Sequence, residues 1–162
     1  LTLRGRAPVR DRGAVLQVAR TNGPQREEGA CRLDRATALV TGLSRTGFYD
    51  VLLQVPQGGR AGLVERVAAG QRVELTLERS ASLRGVITLP LGVAEADVQV
   101  VATHGGLRVP AQVSPLGWRV DDLPVGSWWD VTAGRQGASG ARFDVHAGAH
   151  VGATDLIFLD LR

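Results

Sequence analysis

The sequence predicts an all-β chain built as two tandem β-sandwiches of about 80 residues each, residues 1–80 and 81–162. Three observations carry that expectation. A set of short blocks recurs in the same order at a spacing of about 80 residues. Within each copy the apolar residues alternate with period two, the pattern of a half-buried strand. The composition is rich in glycine (21) with 7 prolines, and helix-forming runs are scarce, which favours short strands and tight turns.

The repeat is read directly from the residues. Leu3-Arg4-Gly5 recurs as Leu83-Arg84-Gly85, and Leu16-Gln17-Val18 as Val98-Gln99-Val100. Gly42-Leu43 matches Asp122-Leu123, and the run from Gly47 through Val51 matches the run from Gly126 through Val131. Val67 through Val73 then matches Val145 through Val151. The offsets drift only between 78 and 82, so the blocks stay in register along both copies.

In the first copy, Tyr49, Val51, Leu53 and Val55 alternate with Phe48, Asp50, Leu52 and Gln54. Val73, Leu75 and Leu77 alternate with Glu74, Thr76 and Glu78 in a closing strand. Gly62 to Ala69 is too short and too glycine-flanked for a helix, and is read as strand or turn. In the second copy the strand-like runs are 83–88, 98–102, 107–113, 129–133 and 156–161. Turn signals separate them at His104-Gly105-Gly106, Pro115-Leu116-Gly117 and Leu123-Pro124-Val125-Gly126. A single sheet this small cannot cover its own apolar face, hence a sandwich in each copy. The junction is expected at Ser80-Ala81-Ser82. The expected core includes Tyr49, Val51, Leu53, Leu75, Val98, Val100, Leu123 and Val131.

At 44% hydrophobic and 22% charged residues, the composition is that of a globular chain rather than a disordered one. No apolar run approaches the roughly 18 residues of a spanning helix, so direct membrane insertion is not expected. The chain opens at Leu1 in a strand-like pattern, and is read as a fragment of a larger precursor. All 19 basic residues are arginine, an Arg-only set most simply explained by a GC-rich genome. Residues 1–80 hold 13 arginines and 8 acids, about +5; residues 81–162 hold 6 and 8, about −2. Those arginines are scattered and only 4% of residues are aromatic, which argues against a nucleic-acid partner. Cys31 is the only cysteine, so no disulfide can form within one chain.

The second copy reads Leu83-Arg84-Gly85-Val86, then Ala96-Asp97-Val98-Gln99-Val100, then Gly117-Trp118-Arg119-Val120-Asp121-Asp122-Leu123-Pro124-Val125-Gly126-Ser127-Trp128. This resembles the carboxypeptidase regulatory-like domain, with its G-x-V opening, its A-x-V-x-V second strand and its G-x-[FW]-x-[VIF]-x-x-L-P-x-G-x-[YW] signature. The first copy resembles it more weakly through Leu3-Arg4-Gly5, Gly42-Leu43 and the run from Gly47 to Val51. The resemblance implies a transthyretin-like (Ig-like) sandwich for each copy. It also implies an accessory module in a periplasmic, outer-membrane-associated or secreted protein. It says little about activity, because such modules accompany many functions.

The motif also locates an irregularity. Val51 and Leu53 stand four and six residues after Gly47, whereas Val131 and Ala133 stand five and seven after Gly126. One extra residue reverses strand parity unless a β-bulge absorbs it. The expectation is a bulge at Ser127 to Trp129, with Trp129 buried and Trp128 turned to solvent or to an interface.

Catalytic motifs of the G-x-S-x-G or H-E-x-x-H kind are absent from the sequence, so no enzyme, catalytic residue or cofactor is expected. Transthyretin relatives that hydrolyse hydroxyisourate close on Tyr-Arg-Gly-Ser; this chain closes on Asp160-Leu161-Arg162. Collagen-adhesin relatives form Lys–Asn cross-links, and this chain has no lysine. His146, His150 and Asp144 share strand parity but surround a glycine-bearing turn pattern, and are read as solvated rather than as metal ligands. Asp121, Asp122 and Asp130 are read as turn formers rather than a calcium set. His104 is read as a hairpin-turn residue.

The tryptophans are the remaining candidates. Packing in the core or between domains is the plain reading of Trp118, Trp128 and Trp129. Trp118 and Trp128 are the candidates for ligand or partner contact. The function expected is a non-catalytic structural or interaction module, serving as spacer, assembly or adhesion domain. Its partners would be other protein domains or copies of the same chain. The alternative is a glycan- or peptide-binding accessory module using an exposed tryptophan.

Overall fold

The computed structural model describes residues 2–4, 13–21, 30–34, 37–41, 43–89, 91–135, 145–151 and 157–160. The chain is all-β: among the described residues there is no α-helix, only 3-10 turns at Pro56–Gly58 and Glu95–Asp97. It divides into two compact units. The first holds Leu1–Ser80 with Gly105–Leu107 and Asp122–Pro124; the second holds Ala81–His104, Arg108–Asp121 and Val125–Arg162.

In the first unit, β1 (Thr2–Arg4), β3 (Ala30–Asp34), β4 (Thr37–Thr41) and β7 (Arg72–Glu74) form one sheet in the order β3-β4-β1-β7. Its β1–β7 pair is parallel, with Leu3 opposite Val73. The other ladder runs β2 (Val15–Arg20), β5 (Phe48–Val55), β6 (Arg60–Ala68) and the start of β8 (Glu78–Thr88), each pair antiparallel. Pro56 opens the turn between β5 and β6, because its fixed φ suits a tight first turn and it needs no donor there. Gly59 closes that turn in the left-handed region at φ +54°. Val51, Leu53, Val55, Val67 and Leu75 make the core, packed by Leu16, Val18, Val64, Val73 and Leu77.

Three expectations for this unit change. The closing strand is shorter than the alternation of Val73, Leu75 and Leu77 suggests, since β7 ends at Glu74. Leu75 instead turns inward against Gly62, where an added Cβ would overlap its side chain. Second, β5 is buried on both faces: Asp50, Leu52 and Gln54 are as inaccessible as Tyr49, Val51 and Leu53. Gln54 Nε2 donates to the Asp122 carbonyl at 3.1 Å, and Gly105 lies against Asp50. Third, β6 carries a bulge that the alternation did not signal. Tyr49 pairs with Val67 but Val51 pairs with Val64, so Glu65 and Arg66 together oppose Asp50.

In the second unit, β9 (Val98–His104), β10 (Leu107–Pro110), β13 (Trp128–Arg135) and β14 (Val145–His150) form a sheet in the order β10-β9-β13-β14. A further ladder joins β11 (Gln112–Ser114), β12 (Gly117–Pro124), β8 and, parallel to β8, β15 (Ile157–Asp160). The single run expected over 107–113 is therefore two strands in different sheets. Pro110, which cannot donate to a ladder, ends the first of them. Ser80 and Ala81 lie inside β8, so the expected junction is strand rather than loop. Gly117, at φ +129°, sits so close to the Gly85 carbonyl that no side chain fits between them. All eight expected core residues are buried.

Candidate interaction surface

Trp128 and Trp129 open β13, and a bulge decides which faces where. The Gly126 amide donates to the Val151 carbonyl at 2.9 Å, and the Val151 amide donates to the Ser127 carbonyl at 2.9 Å. Gly126 and Ser127 thus share one partner, and Gly126 takes φ +84°, which glycine adopts without strain. The extra residue is absorbed at Gly126 and Ser127, overlapping the expected stretch at Ser127 only. From Trp128 to Ala133 the pairing with β14 is regular.

After the bulge, alternation sends Trp129 into the core at 1% exposure and leaves Trp128 at 62%. Trp129 Nε1 donates to Ser127 Oγ at 2.8 Å, so the buried indole keeps its polar handle satisfied. His104, the last residue of β9 rather than part of the turn itself, braces the pair. Its Nδ1–H donates to the Trp128 carbonyl at 2.6 Å, and its ring lies 5.4 Å from that of Trp129. Thr103 Oγ1 donates to the Asp130 carbonyl at 3.2 Å, tying the next step of β13 to β9. The result is one indole displayed on a braced strand, with the exposed Asp130 two residues along on the same face.

Trp118 behaves differently. It lies in β12 opposite Val113, is 3% exposed, and its Nε1 finds no hydrogen-bond partner among the described residues. That burial places it in the core and removes it from the surface contacts expected of it. Its neighbours Asp121 and Asp122 are occupied separately. Asp121 Oδ1 accepts from Ser82 Oγ and Arg119 Nε, whereas Asp122, at φ +58°, accepts from Ser80 Oγ at 3.2 Å. Asp130 stands on another strand, and no three His, Cys, Asp or Glu residues converge as a metal set among the described residues. His146 and His150 occupy β14 opposite Thr132 and Trp128; Asp144 lies outside the described residues. No helix among the described residues is long and apolar enough to cross a membrane.

A second exposed aromatic was not singled out from the sequence. Phe48 opens β5 at 50% exposure, as Trp128 opens β13, and the Arg66 guanidinium lies 5.5 Å from its ring centroid. The signal was present in the repeat, since Phe48-Tyr49 aligns with Trp128-Trp129 and adjacent strand residues face opposite ways. Tyr49 is fully buried, with its hydroxyl donating to the Ser44 carbonyl at 3.2 Å.

Compared with known proteins, this chain matches no family model, no curated protein and no solved structure.

Proposed function

We propose that the chain is a non-catalytic interaction module of a larger bacterial envelope or secreted protein, with Trp128 at its docking surface. In this reading each repeat is a transthyretin-like sandwich of the carboxypeptidase regulatory-like kind. The repeat of about 80 residues and the all-β architecture support it. The observation that carries the docking role is the exposure of Trp128 on a braced strand. An indole left in water forgoes the burial that such a side chain ordinarily gains, and large exposed aromatics concentrate where a partner covers them.

The partner fitting the first reading is another protein domain or a further copy of the chain. Sedimentation velocity of the purified chain across a concentration series, with and without Trp128→Ala, tests the copy. Assembly that the substitution abolishes supports the reading, and assembly indifferent to it removes Trp128 from the interface. A second reading is favoured by the pairing of Trp128 with exposed Asp130 on one face. An aromatic plane beside a hydrogen-bond acceptor suits a glycan, whose rings offer C–H faces and hydroxyls. A glycan array with the same substitution separates the two.

A further inference from the structure

We propose that the start of β5 in the first unit is a second contact surface, independent of Trp128, for a carboxylate-bearing polysaccharide. Phe48 is a half-exposed aromatic in a region dominated by arginine. Arg66 is placed over its ring by the backbone: the bulge in β6 sets Arg66 at φ +54°, and its amide is held by Asp50 Oδ1 at 3.0 Å. A side chain fixed by a bulge and a buried carboxylate is positioned rather than merely present on the surface.

Two further guanidiniums flank the same segment. Arg20 reaches the Thr46 carbonyl at 3.4 Å and lies against Gly47, where an added Cβ would come within 3.0 Å of its Nε. Arg45 is exposed next to Thr46. Among the described residues, none of Arg20, Arg45 and Arg66 has a carboxylate within salt-bridge distance. Asp50 is buried and its Oδ1 is occupied by Thr21 Oγ1 and the Arg66 amide; Glu65 is the exposed acid nearby. The local balance is positive, as is the excess of about +5 across residues 1–80.

The charge selects an anion, and the fork of a guanidinium matches a carboxylate bidentately. The ring selects what carries that anion. A uronate residue offers a carboxylate and an apolar C–H face on one rigid ring, complementary to a guanidinium beside an aromatic face. An acidic peptide supplies the charge without the stacking face.

Affinity electrophoresis in polygalacturonate, polyglutamate and neutral dextran, at about 50 mM salt, tests this. The chain is expected to be retarded by polygalacturonate alone. Arg45→Gln with Arg66→Gln should weaken that retention about tenfold or more, and Phe48→Ala by a similar factor. Arg108→Gln, at an exposed arginine of β10 in the second unit, should leave it unchanged, which assigns the loss to this surface rather than to net charge. Arg45→Gln alone, at an exposed position, should give a smaller loss without affecting the fold, which circular dichroism checks. No retention by polygalacturonate overturns the proposal. Equal retention by polyglutamate with no effect of Phe48→Ala also overturns it, by showing charge attraction alone.

Discussion

The Arg66 amide donates to Asp50 Oδ1 at 3.0 Å where β6 carries one residue more than β5, and Thr21 Oγ1 donates to the same oxygen at 2.8 Å. Asp50 thereby joins three strand segments: the end of β2, its own strand and the bulge. Its other oxygen, Oδ2, has no hydrogen-bond partner among the described residues and faces Gly105. Asp50→Ala removes two hydrogen bonds and leaves the bulge amide unsatisfied, but it also relieves the burial of a carboxyl group. The net expectation is a loss of about 2 kcal/mol in urea denaturation. A change under about 0.5 kcal/mol would mean that the bulge does not depend on Asp50.

Two glycines with positive φ separate backbone strain from steric overlap. Gly92, at φ +82°, has open space where a Cβ would be, so Gly92→Ala should cost about 1–2 kcal/mol from the left-handed conformation alone. At Gly117 a Cβ would overlap the Gly85 carbonyl, and the main chains of β12 and β8 would have to part. Gly117→Ala should therefore cost about 3 kcal/mol or more, with lost strand pairing added to the strain. Equal midpoints for the two variants would show that β12 and β8 can separate without penalty.

Trp129→Ala empties a fully buried site and leaves Ser127 Oγ without its indole partner, so about 3–5 kcal/mol should be lost. Trp128→Ala removes an exposed ring and should change stability by less than about 1 kcal/mol. Leu123→Ala, at a site with no exposure, should cost about 2–5 kcal/mol. Thermal melts of the three variants give the order directly, and a large loss at Trp128 would mean that its ring packs against the fold.

How far these sites were legible follows from what kind of contact buries them. Val98, Val100 and Val131 are buried by the alternation of their own strands, a property local enough to read from period two. The count from Gly126 to Val131 revealed the extra residue because parity is strict, and it placed both tryptophans on the right faces. Asp50 and Gln54 were legible only as the polar face of β5. They are met by Gly105–Leu107 and Asp122–Pro124, more than fifty residues away in sequence, and no local pattern reports so distant a cover. Arg66 gave no signal either, because an arginine in the left-handed region has no composition cue of the kind glycine provides. Trp118 misled for a related reason: its period-two position is explicit, but which face of β12 is covered is decided outside β12.

The last prediction concerns the charge distribution. Residues 1–80 carry about +5 and residues 81–162 about −2, so two copies, or a copy and a partner, can approach with unlike halves together. The exposed arginines of the first unit, Arg45 and Arg66 among them, and exposed Asp130 of the second are the described side chains that such an approach would use. Fields from exposed charges are screened beyond about 8 Å at physiological ionic strength, so an association steered this way weakens as salt rises. Between about 20 mM and 0.5 M salt the dissociation constant should rise about tenfold or more, most of it through a slower association rate. Burial of Trp128 responds to salt in the opposite sense, because apolar contact is not weakened by screening. An association through Trp128 alone should hold or tighten over that range. Surface plasmon resonance at several salt concentrations, with Trp128→Ala and Asp130→Asn side by side, tells the two apart. A salt-indifferent affinity that Asp130→Asn does not alter would rule out the charge-steered approach and leave the indole as the contact.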